Sequence, residues 1–243
     1  MSSHESQQKQ NSSRLRWLSI AASALILITA GYFSWNAFSN STTTISTQIA
    51  ENKSFELPDG SEIKLDALSE ISYIEKDWGN NRTLQLNGQA FFDVTKGNTF
   101  KVITNRGSIT VLGTQFNVNA TDSKFEVNCY EGKVAVNYNE DEEILIKGQS
   151  NSAKNNKLFG NNHTTNVLNW LNGYTKYNKV ELSEVIKDLQ KYYKINITLP
   201  NKYKKQQFTG NLTHNDFNLA LEKLFTSMEI KYNVDKNNTV IIE

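Results

Sequence analysis

Between Arg82 and Ala120 the chain reads RTLQLNGQAFFDVTKGNTFKVITNRGSITVLGTQFNVNA, short stretches in which apolar and polar side chains alternate, with Gly or Asn interrupting every few residues. A period of two puts alternate side chains on opposite faces of a strand, so this run must build sheet and bury one face of it. Leu84 and Leu86 lead to Asn87-Gly88, a pair suited to the positive φ values of a two-residue turn, and Gln89–Val94 is expected to return as the partner strand. Phe100, Val102 and Thr104 form the next strand, and Arg106-Gly107 turns the chain again. Ile109 and Val111 share a face, Gly113 breaks the run, and Phe116, Val118 and Ala120 resume it. Strands this short are not stable alone and must stack into a β-rich unit. The run holds no His, no Cys and no paired acids, so it reads as a surface and not as a reaction centre.

The same rhythm continues on both sides. Phe55–Leu57 and Ile63–Leu65 flank Pro58-Asp59-Gly60, where Pro sets φ, Gly60 supplies positive φ, and Asp59 is expected to bond its own backbone. Trp78 sits in an Asp77–Asn81 loop, either folded back over the core or free for a partner. Asp93 reads as a strand-end charge, and Phe125, Val127 and Cys129 place the lone cysteine on an apolar face. Glu131-Gly132 turns into Val134, Val136 and Tyr138, followed by an acidic Asn139–Glu143 loop and Ile144–Lys147. About a dozen short strands at this spacing fit a sandwich, a roll or a solenoid-like stack, and periodicity does not choose among them.

Four blocks in this order carry a resemblance: LPDGSEIKLDALSEISY (Leu57–Tyr73), LNGQAFFDV (Leu86–Val94), FKVITNRGSITVLGTQFNV (Phe100–Val118) and YEGKVAV (Tyr130–Val136). Together they resemble the periplasmic domain of FecR-type anti-sigma regulators, over residues 46–152. The resemblance implies a single-pass inner-membrane protein of Gram-negative bacteria. Its periplasmic part would sense a substrate-loaded TonB-dependent outer-membrane receptor and control an extracytoplasmic-function sigma factor. Among the β architectures, the resemblance points to the solenoid-like one.

Twenty-six basic residues against 25 acidic give a net charge of +1, with no basic cluster of the kind that phosphate contacts require, so nucleic acid is not an expected partner. A single cysteine excludes an intrachain disulfide, and His4, His163 and His214 are too far apart to suggest a metal site. A glycosidase would need two carboxylates flanking a cleft, whereas Asp59, Asp66, Asp93 and Glu131 all read as turn or edge residues. No catalytic residue, cofactor or metal is therefore expected, and the chain reads as a non-enzyme.

Residues 1–16 are polar and end in Arg14 and Arg16, after which no charge appears until Glu51. Leu18–Phe38 is long enough to cross a bilayer as a helix, with Trp17, Tyr32, Phe33, Trp35 and Phe38 gathered at its ends. The positive-inside rule keeps 1–16 in the cytoplasm, makes 17–38 the membrane helix, and exports the rest as a periplasmic body tethered by Ser39–Ser46. A cleavable signal peptide with Ile20–Ala30 as its apolar core, cut near Gly31 or Ser39, is the competing reading. FecR-type regulators usually carry several cytoplasmic helices that hold the sigma factor, and 1–16 has none. The resemblance thus supports the sensor half more than the anti-sigma half. An envelope-anchored protein-binding module without sigma-factor control is the alternative.

Residues 153–172, poor in apolar side chains, read as a linker in which Trp170 plugs the start of a third unit, 173–243. There the period changes to helical: Leu182, Val185, Ile186 and Leu189 share a face, with Asn178 and Glu181 spaced as a capping-box variant. Ile195–Leu199 and Phe208–Asn211 read as strands, Thr213 and Asp216 as caps of a second helix, and Ile230–Val234 with Val240–Ile242 as a hairpin. Leu182 maps onto Phe217, Val185 onto Ala220 and Ile195 onto Ile230 at a constant offset of 35 residues. Two βα(β) repeats should lay their helices over one small sheet. With FTGNL between the repeats, this unit resembles the secretin/TonB short N-terminal-like domain. The chain as a whole is expected to be α+β. Its candidate partner-binding residues are Phe208, Thr209, Gly210, Asn211 and Leu212, an exposed strand edge open to pairing.

Overall fold

The structure is a computed structural model and describes residues 18, 20–32, 41–122, 124–161 and 169–243. Residues 20–32 form a helix, α1, whose apolar side chains, Leu27 and Ile28 among them, are all exposed. Of the expected crossing at 17–38, residues 17, 19 and 33–38 lie outside the described residues, as do residues 1–16. No described helix is long and apolar enough to cross a membrane.

Thirteen strands then form one strongly bent sheet. They are β1 (Thr42–Ser46), β2 (Lys53–Glu56), β3 (Glu62–Leu65), β4 (Glu70–Ile74), β5 (Arg82–Asp93), β6 (Phe100–Ile103) and β7 (Ser108–Val111). After these come β8 (Gln115–Ala120), β9 (Phe125–Glu131), β10 (Lys133–Tyr138), β11 (Asp141–Ile146), β12 (Ser150–Lys154) and β13 (Lys157–Asn161). The part expected to be a flexible tether thus ends in strand β1, which pairs with β4.

Strand β5 organises the sheet, and it corrects one expectation. Asn87-Gly88 does not reverse the chain: β5 runs on through it for 12 residues. Its first half pairs with β4 and, in parallel, with β6, while Gly88–Asp93 pairs with β3 and β8. Gly88, at φ 104, bends the strand from one wing of the sheet into the other, passing so close to Ser69 that a Cβ would sit 2.8 Å from the Ser69 Cα. The two other glycines expected to turn the chain lie between strands. Gly60, at φ 76, closes the β2–β3 turn, and Gly113 passes the Lys96 backbone between β7 and β8.

The wings fold over one another, so the architecture is a nearly closed barrel and not a solenoid-like stack. One apolar core fills it, with Phe92 stacked on Phe116 at 4.8 Å and Trp78 wedged edge-on between Tyr73 and Phe100. Trp78 is 2% exposed, which removes it as a partner contact. The barrel stops short of closing between β11 and β13. There the Leu158 amide donates to Asp141 Oδ2 at 3.0 Å and Asn139 Nδ2 to the Asn156 carbonyl at 3.2 Å. Two corrections follow: Asp141–Glu143 belongs to strand β11 and not to a loop, and Lys157–Asn161, expected within a linker, is the last strand of the sheet. Both lie on edge strands, and Asp141–Glu143 is wholly acidic, a composition that resembles a loop.

After residues 162–168, outside the described set, a short 3₁₀ turn (Asn169–Asn172) leads into β14 (Tyr174–Glu181), α2 (Leu182–Tyr192), β15 (Asn196–Ile197), β16 (Gln207–Thr213), α3 (Phe217–Ser227), β17 (Tyr232–Val234) and β18 (Thr239–Ile242). The repeat offset holds for the helices, since α2 and α3 begin and end 35 positions apart. The expected single sheet does not form: β14 pairs with β16, and β15, β18 and β17 make a separate three-stranded sheet. Asp216 caps α3 by accepting from the Leu219 amide at 3.0 Å. The capping box expected at α2 is absent, because Asn178 lies in strand β14 and Glu181 makes no side-chain cap bond. Helices and strands share a second apolar core, which has no residue in common with the first.

Candidate functional site

The FTGNL strand pairs with β14 on one side, and among the described residues no strand pairs with its other side. Alternation divides its five candidate residues. Phe208 and Leu212 point inward and are buried in the α/β core, so their side chains are not available to a partner. Gly210 is there for packing: a Cβ would come within 2.7 Å of the Phe208 ring that covers it. Thr209 and Asn211 are exposed, and the Thr209 hydroxyl also accepts from the Lys179 amide at 3.0 Å, filling the bulge in β14. The edge therefore offers backbone groups with two polar side chains, the composition of a strand-pairing surface.

Beneath this edge lies a joint that sequence reasoning missed. Asp66, read as a turn or edge residue, is fully buried at the contact between the two units. Its Oδ2 accepts from Lys191 Nζ at 2.5 Å and from the Tyr192 hydroxyl at 2.8 Å, both at the end of α2, and its Oδ1 accepts from the Ala67 amide at 2.8 Å. Burial, then Asp66 beside it, drives the Tyr192 hydroxyl far above its ordinary pKa, which keeps it a donor. The Tyr192 ring stacks on His214 with centroids 3.4 Å apart and planes 11° apart, while His214 Nε2 lies 2.8 Å from Thr175 Oγ1. Burial, then the Lys191 charge, pushes the His214 imidazole down to about 4. The Ala50 amide donates to the Lys191 carbonyl at 3.1 Å. Trp170, expected to plug the third unit, instead donates from Nε1 to Asn117 Oδ1 of the barrel at 3.1 Å. A cleft of about 310 Å³ opens beside the joint, lined by Asn52, Trp170, Tyr192, His214 and Asn215.

Other polar residues serve the fold. Asp59 bonds the Ser61 amide at 3.2 Å and hydroxyl at 2.7 Å, and it pairs with Arg82, which is buried at 7% exposure. Arg82 also donates to the carbonyls of Asn98 and Thr95, each at 2.8 Å, tying two loops to the start of β5. Asp93 accepts from Gln115 Nε2 at 2.9 Å. Cys129 is fully buried, and burial pushes its thiol up to about 11, which makes it a packing residue.

Two family models match in series: FecR protein at residues 43–135 and FecR, C-terminal at residues 174–242. The chain belongs to the FecR family. The first match runs from β1 through the first half of β10, and the second spans the α/β unit with its β16 edge. The FecR chain is also similar to a protein from Parabacteroides distasonis ATCC 8503 designated a candidate anti-sigma factor, seen in crystal structures at 2.50 and 1.65 Å resolution. For each the identity is 27% and the TM-score 0.76, covering 83% of this chain and 98% of the relative. No curated protein matches it. The family is non-enzymatic.

Proposed function

We propose that this chain is a contact relay of FecR type. Residues 17–38 anchor it in the inner membrane with the N-terminus in the cytoplasm and the barrel and α/β unit in the periplasm. The α/β unit receives the periplasmic signalling domain of a TonB-dependent outer-membrane receptor, and the outcome regulates an extracytoplasmic-function sigma factor. The observation that carries this reading is the open side of β16, a strand anchored by the buried Phe208 and Leu212, which offers the backbone of Thr209 and Asn211 outward and is covered at its end, where Tyr193 donates to the Thr213 carbonyl. Family membership and the anti-sigma designation of the Parabacteroides relative support the regulatory output.

The test is a titration of the full chain in detergent micelles with the signalling domain of a receptor encoded beside it. Asn211→Lys, on the exposed edge, is expected to weaken association tenfold or more, and Asn233→Lys on β17 to leave it unchanged. A wild-type chain that does not associate, or an Asn211→Lys chain that associates as well as wild type, overturns the reading. Carbonate extraction tests the anchor separately: the chain should stay with the inner membrane, and release into the soluble fraction would contradict that part.

A further inference from the structure

The candidate edge and the buried joint are linked by consecutive residues. Strand β16 ends at Thr213, and the next residue is His214, whose ring lies flat against Tyr192. Tyr192 donates to the Asp66 carboxylate, and the Asp66 carbonyl accepts from Thr47 Oγ1 at 2.6 Å. Thr47 is clamped to Ser69 in both directions: its amide donates to the Ser69 carbonyl and its hydroxyl accepts from the Ser69 amide, each at 2.9 Å. It follows directly on β1, the first strand after the apolar segment.

The contact between the units is of a kind that can open. The contacts named above between the units are polar, Asp66 with Lys191 and Tyr192, the Ala50 amide with the Lys191 carbonyl and Trp170 Nε1 with Asn117, and polar interfaces between domains permit relative motion. A buried carboxylate holding an ammonium and a hydroxyl is stable only in good geometry, which makes its response to displacement all-or-none and not gradual.

We infer that Asp66 is a releasable latch between the two units. Docked, it fixes the α/β unit on the barrel. A partner strand pairing with β16 shifts His214 and the Tyr192 ring stacked on it, the bonds to Asp66 break, and the Thr47–Ser69 clamp at the base of β1 loosens. An event at the edge thereby reaches the segment that joins the barrel to the apolar helix. This rests on the reading of β16 as the partner edge, but its test needs no partner.

Amide hydrogen exchange of the full chain in detergent micelles, with no partner added, reads the coupling. Tyr192→Phe and Lys191→Met each remove one bond to Asp66 from the far unit, and each is expected to speed exchange at the Thr47 and Ser69 amides by about tenfold, with Phe92 and Phe116 in the barrel core unchanged. Leu224→Val, which loosens the α/β core away from the joint, should speed exchange in α3 and leave Thr47 and Ser69 as they were. Unchanged exchange at Thr47 and Ser69 in both latch variants overturns the inference, as does an equal rise there in Leu224→Val. Such a failure leaves the partner titration standing, and a failed titration leaves this exchange result standing.

Discussion

Asp66 and Lys191 lie 125 positions apart in the chain and 2.5 Å apart in the fold, as the carboxylate and ammonium of one buried pair. Removing the carboxylate strands three donors at once, Lys191, Tyr192 and the Ala67 amide. Asp66→Ala should therefore lower the unfolding free energy of the full chain by about 3–5 kcal/mol in urea titrations, the range for breaking a buried pair from one side. Asp66→Leu combined with Lys191→Met and Tyr192→Phe should recover much of that loss, because of the three donors only the Ala67 amide is then left unpaired. A triple variant as unstable as Asp66→Ala would show that the joint depends on more than these partners.

Arg82 and Asp59 make an acid-sensitive clasp. Burial alone would raise the Asp59 pKa, but the Ser61 hydroxyl and amide and Arg82 together hold it below the ordinary 3.8. A carboxyl depressed in the folded state contributes stability that is complete above its unfolded pKa and is lost as pH falls through the folded one. Below about pH 4 the wild-type chain should lose stability more steeply than Asp59→Asn, as thermal melts from pH 6 to 2 would show. Parallel curves would remove the clasp.

His214 acts in a higher window. Its pKa falls from 6.5 to about 4 on folding, so between these values the unfolded chain binds more protons and stability declines as pH drops. The decline is at most about 3 kcal/mol, and His214→Gln should flatten it between pH 6.5 and 4. The groups facing the ring are Tyr192, Thr175 and the Lys191 charge. A slope that persists in His214→Gln would assign it to another residue.

Two glycines with similar φ values should respond very differently to substitution. Gly88, at φ 104, faces the Ser69 side chain and backbone, whereas Gly148, at φ 86, has nothing within 4 Å of its Cβ position. Gly148→Ala should cost about 1 kcal/mol, from backbone strain alone. Gly88→Ala adds a collision at the bend of the central strand and should cost clearly more in the same denaturant titration. Equal costs would mean the β5–Ser69 contact relaxes freely.

Residue type and spacing revealed the elements but not how they come together. Period-two runs mark strands β5 to β10, and the 35-residue offset marks α2 and α3, because each pattern is local. Asn87-Gly88 misled because positive φ serves a strand bend as well as a turn, and only the depth of the partners β3 and β8 decides between them. The acidic start of β11, Asp141–Glu143, looked like a loop and the short β13 like linker, because neither stretch shows apolar alternation. Asp66, Lys191 and Tyr192 carried no signal at all, since their meaning comes from a contact across 125 positions. At the edge, the same alternation that located Phe208–Leu212 also implied that Phe208 and Leu212 face inward. Applied there, it would have left Thr209 and Asn211 as the exposed pair.

The central claim is that information enters this chain by strand pairing at β16. Hydrogen exchange of the full chain, with and without a receptor signalling domain added to saturation, measures this most directly. The account predicts slowed exchange in β16 across Thr209–Asn211, accompanied by faster exchange at Thr47 and Ser69. Protection confined to the barrel, with β16 exchanging as in the free chain, would contradict it.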